Sequence, residues 1–200
     1  MSDATEHKKR MQAQQKAHRS KIKETKDPDR ALVLVHTGNG KGKSSSAFGV
    51  ITRALGWGKR VGVVQFIKGK WITGERQFFE KLPDPITWHT MGDGFTWDTQ
   101  DAEQDTIAAV AAYAKACEMM ASGEFDLIIL DEINIALRYD YLDVDAVVRG
   151  LEARSDTTSV ILTGRDAKPE LMDYADLVTE MVEQKHPYQS GIKAQRGIDF

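Results

Sequence analysis

Residues 37–44 read TGNGKGKS and stand between an apolar run of five residues, ALVLV at 31–35, and a stretch at 44–55 with helical spacing. A glycine-rich turn that leaves a buried strand and opens a helix is the setting a phosphate-binding loop requires. Three glycines in five residues, Gly38, Gly40 and Gly42, let the backbone turn its N–H groups inward around Thr37 and Asn39. The helix beyond the loop adds a positive potential at its amino end. Lys43 then supplies a charge to phosphate oxygens, the Ser44 hydroxyl a ligand for Mg²⁺ or Mn²⁺, and Ser45 a further hydroxyl. One departure is visible, because the strict pattern begins with glycine where this chain has Thr37. Lys41 is an extra cation in the loop, either solvated or turned to phosphate.

Short apolar runs continue to alternate with longer helical stretches. Residues 61–67, 127–130, 159–163 and 177–181 read as strands; residues 101–121 and 144–153 read as helices. Asp166 is placed to cap a further helix with Pro169 in its first turn. Buried strands alternating with helices predict an α/β fold with a mostly parallel central sheet flanked by helices on both faces. Residues 186–200 have too little periodicity to assign.

Residues 1–28 differ from the rest. They are polar and rich in Lys, Gln and Ala, and read as a flexible basic arm, either a loosely attached helix or disordered, ahead of one catalytic domain at 29–200. The first 30 residues hold nine Lys/Arg against five Asp/Glu, a net +4, so the remainder of a chain of net charge −3 carries −7. A body that acidic is a poor candidate for wrapping nucleic acid. No apolar run approaches the roughly 20 residues that span a bilayer, so no membrane partner is expected. The first residues, MSDATEHKKR, lack the apolar core of a secretory signal, and a cytoplasmic protein is expected. Cys117 is the only cysteine, which excludes an internal disulfide.

A second motif, FDLIILDE at 125–132, is an apolar strand ending in two acids. Strand carboxyl ends are where ligands collect in open α/β sheets. Asp131 and Glu132 can hold Mg²⁺ or its waters; alternatively Glu132 activates a water, or one acid only caps the next element of the chain. Arg165 stands just past a predicted strand end and suits either a phosphate or ribose contact or a surface ion pair. His36, His89 and His186 have no metal-ligand spacing and read as structural.

Six segments together carry a resemblance: TGNGKGKS at 37–44, VGVVQFIKG at 61–69, GFTWDT at 94–99, LDEI at 130–133, TGR at 163–165 and the closing AQRGIDF. In this order they resemble the P-loop family of ATP:corrinoid adenosyltransferases, over nearly the whole span from residue 31 to 200. The resemblance implies a RecA-like parallel sheet and a homodimer, with ATP lying in the loop so that C5′ of the ribose, not the γ-phosphate, faces the reaction. Tripolyphosphate is then the leaving group. It implies further that Phe95 and Trp97 fill the lower face of the corrin and leave cobalt four-coordinate. Removing the axial ligand eases reduction to Co(I), a nucleophile with no proton to lose, so no general base is needed. The electron calls for a donor such as a flavodoxin-like reductase. The reduced corrinoid is cobalamin, cobinamide or cobyrinic acid a,c-diamide, and the arm at residues 5–25 is expected to fold over it as a lid. Two other readings stand beside this one: a RecA-like P-loop ATPase, resting on Lys43, Ser44 and Glu132 alone, and a nucleotide-gated corrinoid carrier.

Overall fold

The computed structural model describes residues 2–25, 29–67, 73–82, 86–90 and 102–199, with side chains from Thr5 onward. Six parallel strands, β1 (Val33–Thr37), β2 (Val61–Gln65), β3 (Thr87–Thr90), β4 (Leu127–Asp131), β5 (Ser159–Thr163) and β6 (Leu177–Glu180), form one sheet in the order β3-β2-β4-β5-β1-β6. This is the RecA-like arrangement, and the sheet is wholly parallel.

The strand β4 shows why the sheet must be covered twice. All five of its residues are buried, with Ile128 and Leu130 in one apolar cluster and Leu127 and Ile129 in the other. Alternate side chains of a strand point to opposite faces, so an uninterrupted apolar run needs helices on both sides. One cover is α2 (Lys43–Gly56), whose Ala47, Phe48 and Ile51 pack with Val63, Ile129 and Ile161. The other is built from α4 (Ala102–Ala121), α6 (Val144–Glu152) and α7 (Pro169–Tyr174), through Ala112, Met120, Val147, Leu151 and Leu171. Fully burying the Val, Leu, Ile, Met and Phe side chains among these contributes about 1.5–3 kcal/mol each. The basic arm forms α1 (Ser2–Glu24), exposed at every residue from 5 to 25. Among the described residues no helix is long and apolar enough to cross a membrane.

Several boundaries differ from expectation. Strand β1 starts and ends two residues later than the apolar run, because pairing with β5 and β6 carries the ladder through His36 and Thr37. Asp166 does not cap α7. The chain holds it at φ 55, its carboxylate pairs with Arg138 at 3.1 Å, and Lys168 is the residue before Pro169 at the helix start. Three further elements, α3 (Gly74–Phe79), β3 and α5 (Ile133–Arg138), carried no expectation. Strand β3 is a polar edge strand, and α5 comes directly after β4 with neither Gly nor Pro between them. A 3₁₀ turn, Pro187–Ser190, lies in the closing stretch.

Candidate functional site

Four strands deliver a polar residue each to one edge of the sheet. Gln65, Asp131, Thr163 and Thr37 are the last residues of β2, β4, β5 and β1, which are neighbours in that order. Parallel register aligns their carboxyl ends; Gln65 stands opposite Asp131. Gln65 Nε2 donates to Asp131 Oδ2 at 3.1 Å, and Thr163 Oγ1 donates to Asp131 Oδ1 at 2.8 Å. The Ser44 hydroxyl lies near enough to favour the charged form of Asp131, and the loop and the acidic strand end share one cavity. Asp131 is only 3% exposed. Burial pushes its carboxyl above the ordinary value, against the three donors that favour the charged form.

Glu132 turns the chain from β4 into α5. It does so at φ 61, ψ 20, the left-handed region that a non-glycine residue rarely occupies and that concentrates at functional sites. Its side chain makes no capping bond, so the acid does not act as a cap. Burial, then Asp131, push its carboxyl up to about 7, opposed by Lys43 and Arg165. The next turn is pinned by Asn134, whose Nδ2 donates to Gly164 O at 3.0 Å and so fixes the residue before Arg165.

The glycine-rich loop divides into two halves. Residues 40–45 line a cavity of about 630 Å³, together with Gln65, Asp131, Glu132 and Arg165; such volumes suit small-molecule ligands. Lys43 is 7% exposed and its Nζ donates to Gly40 O at 2.7 Å. Burial lowers its pKa, and Glu132 works the other way. Thr37, Gly38 and Asn39 are not among the residues lining the cavity. Thr37 Oγ1 accepts the Ala167 N–H at 3.1 Å, tying the loop to the turn that carries Arg165. A Cβ on Gly38 would sit 2.5 Å from Met181 O, and one on Gly40 2.9 Å from the same atom. These glycines therefore admit the chain leaving β6. Gly40 gives its N–H to Met181 O at 2.7 Å, so that donor is taken by protein. His36 lies 4% exposed beneath the loop, within 3.3 Å of Ser46 Oγ and Lys43 O, and burial lowers its pKa.

The structure thus brings Lys41, Lys43, Ser44, Ser45, Asp131, Glu132 and Arg165 onto one cavity. Phe95 and Trp97 lie outside the described residues. Sequence reasoning missed the supporting roles of Gln65, Thr163 and Asn134; VGVVQFIKG and TGR did mark Gln65 and Thr163, without a role. It also missed Arg138 and noted Tyr139, past Glu132, without a role; both line the same cavity, the guanidinium 5.3 Å from the ring centre.

Residues 29–200 match the family model described as ATP:corrinoid adenosyltransferase BtuR/CobO/CobP. The corrinoid adenosyltransferase of Pseudomonas aeruginosa is 48% identical over 97% of this chain and 95% of its own length. That of a Sinorhizobium species is 51% identical over 94% and 89%, and the corrinoid adenosyltransferase CobA of Salmonella typhimurium 45% over 86% and 87%.

Proposed function

The chain belongs to the ATP:corrinoid adenosyltransferase family, and on that premise we propose how its own residues carry the reaction. The protein adenosylates a corrinoid with ATP; the ATPase reading is not favoured. One observation supports the assignment of roles: the loop cations, the Ser44 hydroxyl and the acid pair share a single cavity.

The triphosphate lies along residues 40–45 at the amino end of α2. Lys43 leaves Gly40 O for a phosphate oxygen, and Lys41 and Arg165 offset the remaining charge. The donor set of Ser44, Asp131 and Glu132 consists of hard oxygens of the kind Mg²⁺ or Mn²⁺ takes, and the acids' raised pKa values are a cost that a divalent cation reverses. When bound, the ion neutralises charge building on the departing phosphates. Gln65 and Thr163 hold the Asp131 carboxylate in place for it.

The ribose C5′ is presented to the cobalt of the reduced corrinoid. The electron pair of Co(I) forms the Co–C bond, the C5′–O bond breaks, and its pair leaves on tripolyphosphate. No proton moves, so the protein's part is alignment and charge stabilisation. Phe95 and Trp97 occupy the lower corrin face, α1 closes over the corrinoid, the enzyme works as a cytoplasmic homodimer, and a flavodoxin-like reductase supplies the electron.

The test is anaerobic incubation of the protein with Mg-ATP and chemically reduced corrinoid. A light-sensitive Co–C product with one equivalent of tripolyphosphate is expected. ADP and orthophosphate without that product would overturn the reading.

A further inference from the structure

The Lys41 ammonium pairs with the Asp199 carboxylate, joining the loop to the far end of the chain. Lys41 is half exposed, at 52% of its side chain, whereas Asp199 is only 16% exposed. Residues 191–198 are exposed throughout. A local turn sets the carboxylate: the Gln195 N–H donates to Asp199 Oδ2 at 2.8 Å, and the Asp199 N–H returns to Gln195 O at 2.8 Å. Lys41 and then the Gln195 N–H hold the Asp199 carboxyl below its ordinary value, so it is a standing negative charge. Ile198 and Asp199 line the same cavity as loop residues 40–45.

An anionic carboxylate at the wall of a triphosphate site competes with the phosphates for the same cation. A half-exposed ion pair contributes little, and a phosphate chain offers several charge-assisted bonds in its place. Resting on the reading of the loop as a triphosphate cradle, we propose that Asp199 is a positioning residue for Lys41. Its carboxylate keeps the ammonium at the mouth of the loop until a triphosphate takes it over, and residues 195–199 are released as the triphosphate binds.

The test is amide hydrogen exchange on the full chain, alone, with Mg-ATP and with tripolyphosphate. Exchange in the C-terminal peptide should quicken with either ligand. Asp199→Asn should show fast exchange without ligand and bind tripolyphosphate about two- to fivefold more tightly, a difference that shrinks at about 0.5 M salt. Asp199→Glu should behave as the parent. Ligand binding with unchanged or slowed exchange, or an Asp199→Asn variant that binds no tighter, overturns the inference alone. No binding by the parent overturns the cradle reading and this inference with it.

Discussion

The hydroxyl of Thr163 donates to Oδ1 of Asp131 at 2.8 Å and also accepts the backbone N–H of Glu132 at 2.9 Å. One side chain on β5 thus orients both acids at the end of β4, and supports the left-handed backbone of Glu132. Replacement by valine keeps the shape and removes both bonds, leaving a buried carboxylate oxygen and an N–H without their partner. Thr163→Val should lose about 1–3 kcal/mol of stability, read from denaturant midpoints at unchanged slope, and Thr163→Ser should recover most of it. A valine variant as stable as the parent would show that the hydroxyl does not tie these acids.

Protonation of Glu132 sets a pH dependence in the ligand-free protein. Its carboxyl rises from 4.5 to about 7 on folding, first through burial. A raised carboxyl favours folding while protonated, so the contribution is whole below about pH 4.5 and is lost as pH climbs through 7. Asp131, also raised by burial, acts in the same direction. The loss attached to Glu132 is on the order of 3 kcal/mol. Glu132→Gln should therefore flatten the fall in stability between about pH 5 and 8 and exceed the parent at the upper end. Parallel unfolding curves for the two proteins across that range would refute this.

Two glycine replacements separate close packing from helix propensity. Gly40→Ala places a Cβ 2.9 Å from Met181 O and Val182 C, backbone atoms that have to shift, and should cost about 1–3 kcal/mol. Gly49 lies within α2 with nothing within 4 Å of a built Cβ, so Gly49→Ala should gain about 0.5–1 kcal/mol. Thermal melting distinguishes the two, and equal effects would contradict the packing of the β6 exit against the loop.

Phe95→Ala combined with Trp97→Ala should abolish adenosylation of a corrinoid supplied as Co(II) with reductant, while Mg-ATP still binds in a nucleotide titration. Deleting residues 1–25 should raise the corrinoid KM and leave ATP affinity intact. Turnover unaffected by the aromatic pair would remove them from the corrin face, and unchanged corrinoid kinetics would remove the arm as a lid.

Local chemistry determined much of this protein in advance. Short apolar runs marked β2, β4 and β5, because the middle of a parallel strand covered on both faces has no polar positions, and polar residues such as Gln65 and Thr163 come only at its ends. Lys43, Ser44, Asp131, Glu132 and Arg165 were legible because motif and strand end sit within a few residues of each other. The rest required the tertiary structure. Strand β3, with the sequence TWHT, lies at an edge of the sheet where polarity is tolerated and no apolar run announces it, and α5 begins at a glutamate in the backbone conformation that usually belongs to glycine. Thr37 serves Ala167, Gly40 serves Met181, Gln65 and Thr163 serve Asp131, and Lys41 meets Asp199. Each of these bonds joins segments far apart in the chain. Strand order and register decide which polar groups share the edge of the sheet, and no local spacing of residues encodes that order.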